Sequence, residues 1–198
     1  MEYVRPDRKG KKAMFKEAIK NYNPKNEQEK RDKDAMIQFI ERNDDALNRT
    51  NLAGHLTSSA IVTNQEEDKV LFAYHKIYDS WSWVGGHNDG DPDLLKVAIK
   101  EAKEETGIKN VYPKSEDVLA LDVVHVTNHY KNGEFIPDHL HFNVTYHLIA
   151  DEQDPLQIKE DENSGVRWFK IDEVMDVIDE ERMRPIYTKV FNHILKKN

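Results

Sequence analysis

The most informative stretch of the sequence is GGHNDGDPDLLKVAIKEAKEETGI, residues 85–108. The loop in this stretch ends at Asp91, which is a favoured N-cap residue, and Pro92 follows at what would be the first helical position. From Leu94 onward apolar side chains recur at steps of three and four, and Gly107 stands where a left-handed C-terminal cap belongs. The stretch therefore predicts a loop that leads into one amphipathic helix of about four turns.

Three glutamates lie on the other side of this helix, near its C-terminal end. Glu101 is one turn from both Glu104 and Glu105, so the three carboxylates share one strip. The helix dipole disfavours negative charge at this end, and the carboxylates repel each other. A hard divalent cation such as Mg²⁺ would relieve both effects because it prefers oxygen ligands. Taken alone, the pattern also fits ordinary solvated helix surface, since Lys100 and Lys103 are close by.

The spacing of these residues resembles the Nudix box. That family pattern is a glycine, five residues, a glutamate, seven residues, and then Arg-Glu-aliphatic-any-Glu-Glu-any-Gly-aliphatic. Counting back from Gly107 aligns Glu101, Glu104 and Glu105 with the three metal-binding glutamates and Gly86 with the first glycine. The resemblance implies bound Mg²⁺, with Mn²⁺ as an alternative, and hydrolysis of a pyrophosphate bond.

Two positions depart from the family pattern. Lys100 stands where arginine is usual, and Pro92 stands where the upstream glutamate is usual. The resemblance implies an ion pair that orients the helix, so we expect Asp91 or Asp93 to partner Lys100. In this reading Lys100 also balances part of the negative charge in the catalytic site.

Composition limits the classes of function. The chain has 198 residues, 38% of them hydrophobic, a formal net charge of −8 and no cysteine. The acidic balance argues against general nucleic-acid binding, which depends on Lys and Arg, and the absence of cysteine excludes disulfides and thiol chemistry. No apolar run reaches the roughly 18 residues of a membrane span, and the N-terminus lacks the apolar core of a signal peptide. We therefore expect a cytoplasmic protein that does not associate with a membrane.

The rest of the chain predicts strands around the box helix. The predicted strands are 55–63, 69–75, 79–84, 118–126, 139–150 and 165–171, with a tight turn at 131–133. The predicted helices outside the box are 13–22, 27–43, 172–179 and 183–196, whereas residues 1–12 read as partly extended. The resemblance implies an α/β (α+β) fold, a Nudix-type α/β/α sandwich with a mixed sheet. We expect an N-terminal helical extension, residues 1–47, followed by a Nudix hydrolase domain, residues 48–198, that ends in a C-terminal helix. The extension packs either on the core or on a second subunit as a possible homodimer.

Several residues outside the box are candidates for contact with substrate or water. Arg49 suits a substrate phosphate, although such an arginine also commonly bridges surface carboxylates. His87 and His141 are expected near the substrate, together with the first glycine, Gly86. The resemblance implies a general base or an added metal ligand in the loop before the last strand, with Glu162 as first choice and Glu160 as second. Glu105 is the competing candidate for the base. These candidates are the following: Arg49, Gly86, His87 and His141 for the substrate, and Glu105 and Glu162 for catalysis.

A second metal hypothesis concerns the histidines. His139 and His141 face the same side of one strand and could hold one zinc ion, with His125 and His129 on the preceding segment. The chain lacks both the cysteines and the helical motif that usually accompany such a site. Zinc therefore stands as the weaker alternative to a histidine that contacts substrate.

The leading functional hypothesis is a Mg²⁺-dependent hydrolase of a nucleoside diphosphate linked to another group, such as ADP-ribose or a nucleotide sugar. An isomerase of the isopentenyl diphosphate type would need a reactive cysteine, which this chain lacks. A different class remains open, namely a catalytically silent module that binds a nucleotide and regulates a partner. The intact set of three glutamates argues for the hydrolase.

Overall fold

The computed structural model describes residues 8–131 and 133–195. The helices are α1 (Arg8–Asn21), α2 (Glu27–Arg42), α3 (Leu94–Thr106) and α4 (Arg184–Leu195), with 3₁₀ turns at Val174–Val177 and Glu181–Met183. The strands are β1 (Gly54–Thr63), β2 (Lys69–His75), β3 (Ser80–Ser82), β4 (Val84–His87), β5 (Val111–Pro113), β6 (Ala120–Val126), β7 (His129–Lys131), β8 (Glu134–Ile136), β9 (His139–Ala150) and β10 (Asn163–Lys170).

The main sheet is mixed. Its strands run in the order β10-β2-β1-β9-β5, with β3 on β2, β4 on β1 and β6 on β9. β1 and β9 are parallel over ten residue pairs, from Gly54 with Leu140 to Thr63 with Ile149, whereas the other pairings are antiparallel. All ten residues of β1 are buried, as expected for a central strand covered on both faces. β7 and β8 form a separate hairpin.

Helices cover both faces of this sheet. Alternate residues of β1 enter different cores: Leu56 packs in the cluster that includes α1, α2 and α3, and Ile61 packs in the cluster that includes α4. Tyr187 of α4, fully buried, packs its ring 5.2 Å from that of Phe72. The α/β/α arrangement with a mixed sheet confirms the predicted fold class.

The N-terminal helices pack on the sheet of their own chain. Apolar residues of both helices, such as Ile19 and Met36, are fully buried in the first core. Phe39 stacks on Phe142 of β9 with ring centroids 4.2 Å apart. The hydrophobic strip of α2 is therefore covered within the monomer, because it buries against β6 and β9.

A buried charge cluster ties the N-terminal helices to the other layers. Lys189 of α4 lies 2.9 Å from Glu29 and 2.6 Å from Asp122 of β6, and the two carboxylates are 1% and 0% exposed. The Tyr22 hydroxyl donates to Glu29 at 2.7 Å. Burial raises the pKa of Asp122 to about 6, against the attraction of Lys189. Three elements distant in the sequence thus share one ammonium group.

The box helix begins two residues later than predicted. Asp93, not Asp91, is the N-cap, and its side chain accepts a 3.0 Å hydrogen bond from the N–H of Lys96. Asp91 instead accepts from the N–H of Asp93 at 3.1 Å, so Pro92 lies in the loop that precedes the helix. The C-terminal prediction is confirmed, since Gly107 caps the helix with φ of 76°.

Other element boundaries also differ from the prediction. The expected helix at 172–179 is only a 3₁₀ turn, because the chain becomes extended at Ile178. Helix α1 begins at Arg8, so residues 8–12 are helical rather than extended, in keeping with the good helix propensity of Lys and Arg. Some of the predicted elements extend beyond the described part of the chain, at residues 1–7, at Asn132 and at residues 196–198. The short strand β5 was not predicted.

In residues 8–131 and 133–195, no helix has the length and apolar character needed to span a bilayer.

Candidate active site

One cleft of ≈ 820 Å³ gathers the predicted site residues. It is lined by the ends of β1, β4 and β9, the carboxylate face of α3, the β7–β8 hairpin and the loop before β10. Nine of the residues predicted for catalysis, metal or substrate line this cleft: Arg49, Gly86, His87, Lys100, Glu101, Glu104, Glu105, His141 and Glu162. Tertiary structure thus brings together candidates from five separate segments.

The glycines that open the box let α3 approach the sheet. Gly86 lies directly against Glu101, and a Cβ added to Gly86 would be 2.6 Å from Glu101 Cδ. Because real Cβ contacts essentially never fall below 3.0 Å, any larger residue here would displace the carboxylate. The glycine is needed for this close approach.

Glu105 is the most buried of the box carboxylates. Its side chain accepts a 2.8 Å hydrogen bond from the backbone N–H of Gly85, and the residue is 2% exposed. Burial raises the pKa of Glu105 to about 8, and the nearby charges of Glu162 and Glu101 act in the same direction. Isolated from solvent and beside like charges, this carboxylate requires a compensating positive charge to stay ionised at neutral pH.

Lys100 pairs with the box glutamates and not with the aspartates upstream. Its Nζ lies 2.9 Å from Glu101 and 3.3 Å from Glu104, whereas Asp91 pairs with Lys96 at 2.8 Å. The expected partnership of Lys100 with Asp91 or Asp93 is therefore wrong. The helix turn between Lys96 and Lys100 brings Lys96, and not Lys100, to the loop aspartate.

Of the two acidic residues proposed as base in the loop before β10, only Glu162 enters the cleft. Its carboxylate lies 3.0 Å from Lys159 Nζ, and Lys159 also lies 3.9 Å from Glu104. Glu160 is exposed and does not line the cleft; its backbone carbonyl accepts from Lys76. Lys159 was not singled out from the sequence, since a lysine in a charged loop carries no distinctive signal.

The carboxylate group fits a hard divalent cation. Glu101, Glu104, Glu105 and Glu162 all present oxygen donors to one cleft, and two of them are buried. Oxygen donors with room left for water and phosphate are the set that Mg²⁺ prefers. Burial raises the pKa of Glu105, and the neighbouring charges of Glu162 and Glu101 raise it further, so a bound cation would stabilise its ionised form.

Arg49 lies at the rim of the cleft and is held by a carboxylate. It donates two hydrogen bonds to Asp89, one of them from Nε at 2.7 Å, in a fork-like geometry. Asp89 itself has a positive φ of 47°, in the loop between β4 and α3. The arginine is 47% exposed at its side chain, so it remains accessible to a ligand in the cleft.

Four imidazoles form a cluster in the same cleft. His55 lies near the start of β1 and is paired with His141 of the parallel strand β9. His139 lies two residues before His141 on β9. The ring of His87 lies 4.9 Å from that of His55 and 5.0 Å from that of His141. Burial lowers the pKa of His87 to about 3 and that of His141 to about 2. The rings of His87 and His141 are therefore neutral at physiological pH.

The composition of this cluster differs from the sequence-based zinc hypothesis. His125 points away, is 56% exposed at its side chain and lies 3.6 Å from Asp138. His129 is peripheral, with its ring 6.3 Å from that of His139. His55 was missed, because the parallel pairing of β1 with β9 joins residues 86 positions apart, such as His55 and His141, and leaves no local signal in the sequence.

The chain is similar to a known family and to several solved structures. A family model described as NUDIX domain matches residues 54–191. A crystal structure of an Ap4A hydrolase binary complex from C. elegans is similar with a TM-score of 0.53 and 17% sequence identity, covering 72% of this chain and 98% of that chain. The structure of the mMutator MutT protein from Bacillus halodurans is similar with a TM-score of 0.45 and 19% sequence identity, covering 69% of this chain and 81% of that chain. The structure of a NUDIX family hydrolase from Clostridium perfringens is similar with a TM-score of 0.47 and 19% sequence identity, covering 70% of this chain and 96% of that chain. A search of curated proteins gave no match.

Proposed function

Because this chain belongs to the Nudix family of pyrophosphate-bond hydrolases, we propose that it uses Mg²⁺ to cleave a nucleoside diphosphate linked to another group. ADP-ribose and nucleotide sugars are the substrate types we favour. The observation that carries the proposal is the group of four carboxylates on one wall of the cleft: Glu101, Glu104, Glu105 and Glu162. A bound divalent cation would relieve the repulsion within this group and would in turn attract an anionic substrate.

The box glutamates would hold the ion. Glu101 and Glu105 are fixed by burial, and Gly85 donates to Glu105, so both carboxylates are oriented before any ligand arrives. Glu104 is 43% exposed at its side chain and can complete the set from the solvent side. When bound, Mg²⁺ would neutralise the nonbridging phosphate oxygens on which charge develops.

We assign the general base to Glu162. Its carboxylate is partly exposed in the cleft, lies 3.0 Å from Lys159 and is assigned the role of accepting a proton from water. Glu105, enclosed and bonded to the backbone, is better suited to be a ligand. Lys100 is assigned to balancing the charge of Glu101 and Glu104.

Substrate contacts are assigned to the rim and the opposite wall. Arg49 presents its guanidinium to the cleft and suits bidentate contact with a phosphate. Gly86 leaves the backbone open to the substrate, and His87 and His141 line the wall beside it. Residues 48–198 would form the catalytic domain, with residues 1–47 as an extension that covers the sheet.

A panel assay tests this proposal. Nucleoside diphosphate sugars, ADP-ribose, dinucleoside polyphosphates and nucleoside triphosphates are each incubated with the enzyme, with Mg²⁺, Mn²⁺ or chelator, and coupled phosphatase reveals monophosphate products. We expect turnover of the nucleoside diphosphate derivatives that chelator abolishes. Turnover of triphosphates alone would overturn the substrate assignment, and equal turnover in chelator would overturn the metal assignment. Tight nucleotide binding without turnover would favour a sensor.

A further inference from the structure

Three histidines converge on one wall of the cleft, and we propose that they form a binding site for a borderline divalent metal ion such as Zn²⁺. The ligands are His55, His139 and His141, whose ligand nitrogens all lie within 4.8 Å of one another. This site is separate from the carboxylates proposed to hold Mg²⁺, and it goes beyond the hydrolase function.

The spacing of two of these nitrogens matches shared coordination. Nε2 of His139 lies 3.2 Å from Nε2 of His141. Two imidazoles bound tetrahedrally to zinc at about 2.05 Å place their nitrogens about 3.3 Å apart. The pair is thus already at the separation that one ion requires, and the ion would need little rearrangement of β9.

Hydrogen bonds fix the tautomers of His55 and His139 in the form that a metal needs, and a bound ion would replace the proton that His141 shares with His139 through their Nε2 atoms. Nδ1 of His139 lies 2.8 Å from the carbonyl of Pro137, and Nδ1 of His55 lies 3.3 Å from the carbonyl of Asn51. A carbonyl only accepts, so each Nδ1 carries the proton and each Nε2 keeps its lone pair. Outer carbonyls that orient histidines in this way are typical of metal-ligating imidazoles.

His55 leaves a buried acceptor without a partner. The residue is 3% exposed, and its Nε2 has no hydrogen-bond partner among the described residues. A buried polar atom of this kind is unfavourable by roughly 1–3 kcal/mol unless something binds to it. One ring nitrogen of His55 lies within 4.8 Å of a ligand nitrogen of His139 and of His141, and Nε2 is the nitrogen of His55 that keeps a lone pair, so a single ion would give it a partner.

The chemistry of the cluster distinguishes it from an anion site and from the Mg²⁺ site. With Nδ1–H of His55 and His139 directed at carbonyls, neither ring has an N–H to offer a phosphate. Imidazole suits zinc and its first-row neighbours, whereas Mg²⁺ prefers oxygen.

The proposed site lies next to the carboxylates. Strand β4 connects them, since Gly86 touches Glu101 and the following His87 has its ring 5.0 Å from that of His141. Three protein ligands leave a tetrahedral ion one open position for water or substrate. All three histidines line the cleft, so this open position would be accessible to a ligand bound there.

Metal titration of the full-length chain, freed of metal beforehand, tests the proposal. Zn²⁺ binding is measured by calorimetry, and Co²⁺ is used as a visible-absorbing substitute that reports four-coordinate geometry. We expect one high-affinity equivalent in the wild-type protein and in His125→Gln, the matched control on the exposed histidine outside the cluster. Loss of outer partners alone weakens metal sites about 10- to 100-fold, so His139→Gln and His141→Gln should weaken Zn²⁺ at least as much.

Two further measurements keep the outcome decisive. Glu104→Gln should bind Zn²⁺ like the wild-type protein; a parallel loss there would place the ion on the carboxylates and overturn the proposal. Nitrogen NMR of the wild-type protein should show the Nε2 signals of three histidines change on addition of Zn²⁺, which requires no variant to fold. Absence of binding, or unchanged affinity in both histidine variants, would also refute the site. Neither result depends on turnover, so the hydrolase proposal is tested independently.

Discussion

Gly86 and Glu101 are in direct contact, since a Cβ added to the glycine would lie 2.6 Å from the carboxylate carbon. Gly86→Ala should therefore push Glu101 out of its position without changing the charge of the site. We expect the Mg²⁺ concentration needed for half-maximal turnover to rise at least about tenfold, a change of about 1.4 kcal/mol in metal binding. Steady-state kinetics across a Mg²⁺ series measures it.

The matched control for that variant is Gly165→Ala on β10. Its added Cβ would meet the far end of the Trp81 ring at 3.0 Å, outside the cleft. The control should retain its metal dependence. An unaltered Mg²⁺ requirement in Gly86→Ala would exclude Glu101 from the metal site.

Glu104→Gln removes one charge from the carboxylate group and keeps its shape. We expect turnover to fall by about two orders of magnitude or more while the melting temperature stays close to that of the wild-type protein, because the side chain is 43% exposed. Glu116→Gln, at an exposed position outside the cleft, should behave like the wild-type protein. Near-normal turnover in Glu104→Gln would remove this residue from the proposed ligands.

Glu162 and Glu160 offer a comparison within one loop. Glu162→Gln should lower kcat about 10²- to 10⁴-fold with little change in the Mg²⁺ requirement, as expected for loss of a general base. Glu160→Gln, whose side chain is outside the cleft, should leave kcat unchanged. Should Glu105→Gln alone lower kcat, with Glu162→Gln active, the base would be Glu105.

Arg49→Ala should weaken substrate binding more than it slows the chemical step. We expect KM to rise about tenfold or more with a small change in kcat, because the guanidinium at the rim would contact a phosphate in both the ground and transition states. The free energy of unfolding should change little, since the Arg49–Asp89 pair is about half exposed. Arg31→Ala, exposed on α2, serves as the control. A KM equal to that of the control would show that Arg49 does not contact substrate.

Lys189→Met should destabilise the fold by about 3–5 kcal/mol, because it leaves the buried carboxylates of Glu29 and Asp122 without their cation. Burial raises the pKa of Asp122 from 3.8 to about 6 in the folded protein. A raised pKa means that this group contributes stability below pH 3.8 that is lost as the pH rises through about 6.

The raised pKa of Asp122 also predicts how the stability of Lys189→Met depends on pH. Without Lys189 the pKa of Asp122 rises further, so the destabilisation relative to the wild-type protein should be largest above pH 6 and smaller in acid. Urea unfolding on both sides of that pH measures the difference. Lys170→Met removes only a surface pair with Glu173 and should stay within about 0.5 kcal/mol. A pH-independent loss in Lys189→Met would show that lost packing, rather than charge, is responsible.

The sequence predicted well those features that depend on neighbours along the chain. The strip of Glu101, Glu104 and Glu105 follows from helical periodicity, and the C-terminal cap at Gly107 follows from the need for a positive φ. The helix start was misplaced because Asp91 and Asp93 are chemically equal candidates, and only the loop geometry decides which one caps.

The family and the carboxylate strip can be predicted from the sequence, since both rest on spacings within one short segment, from Gly86 to Gly107. Tertiary structure alone decided the partners of that strip: Lys159 and Glu162 arrive from a distant loop, and Lys100 turns toward Glu101. It also decided that His55 joins His139 and His141, because the parallel pairing of β1 with β9 sets their register. Sheet register and burial act between segments far apart in the chain, and no local periodicity encodes them.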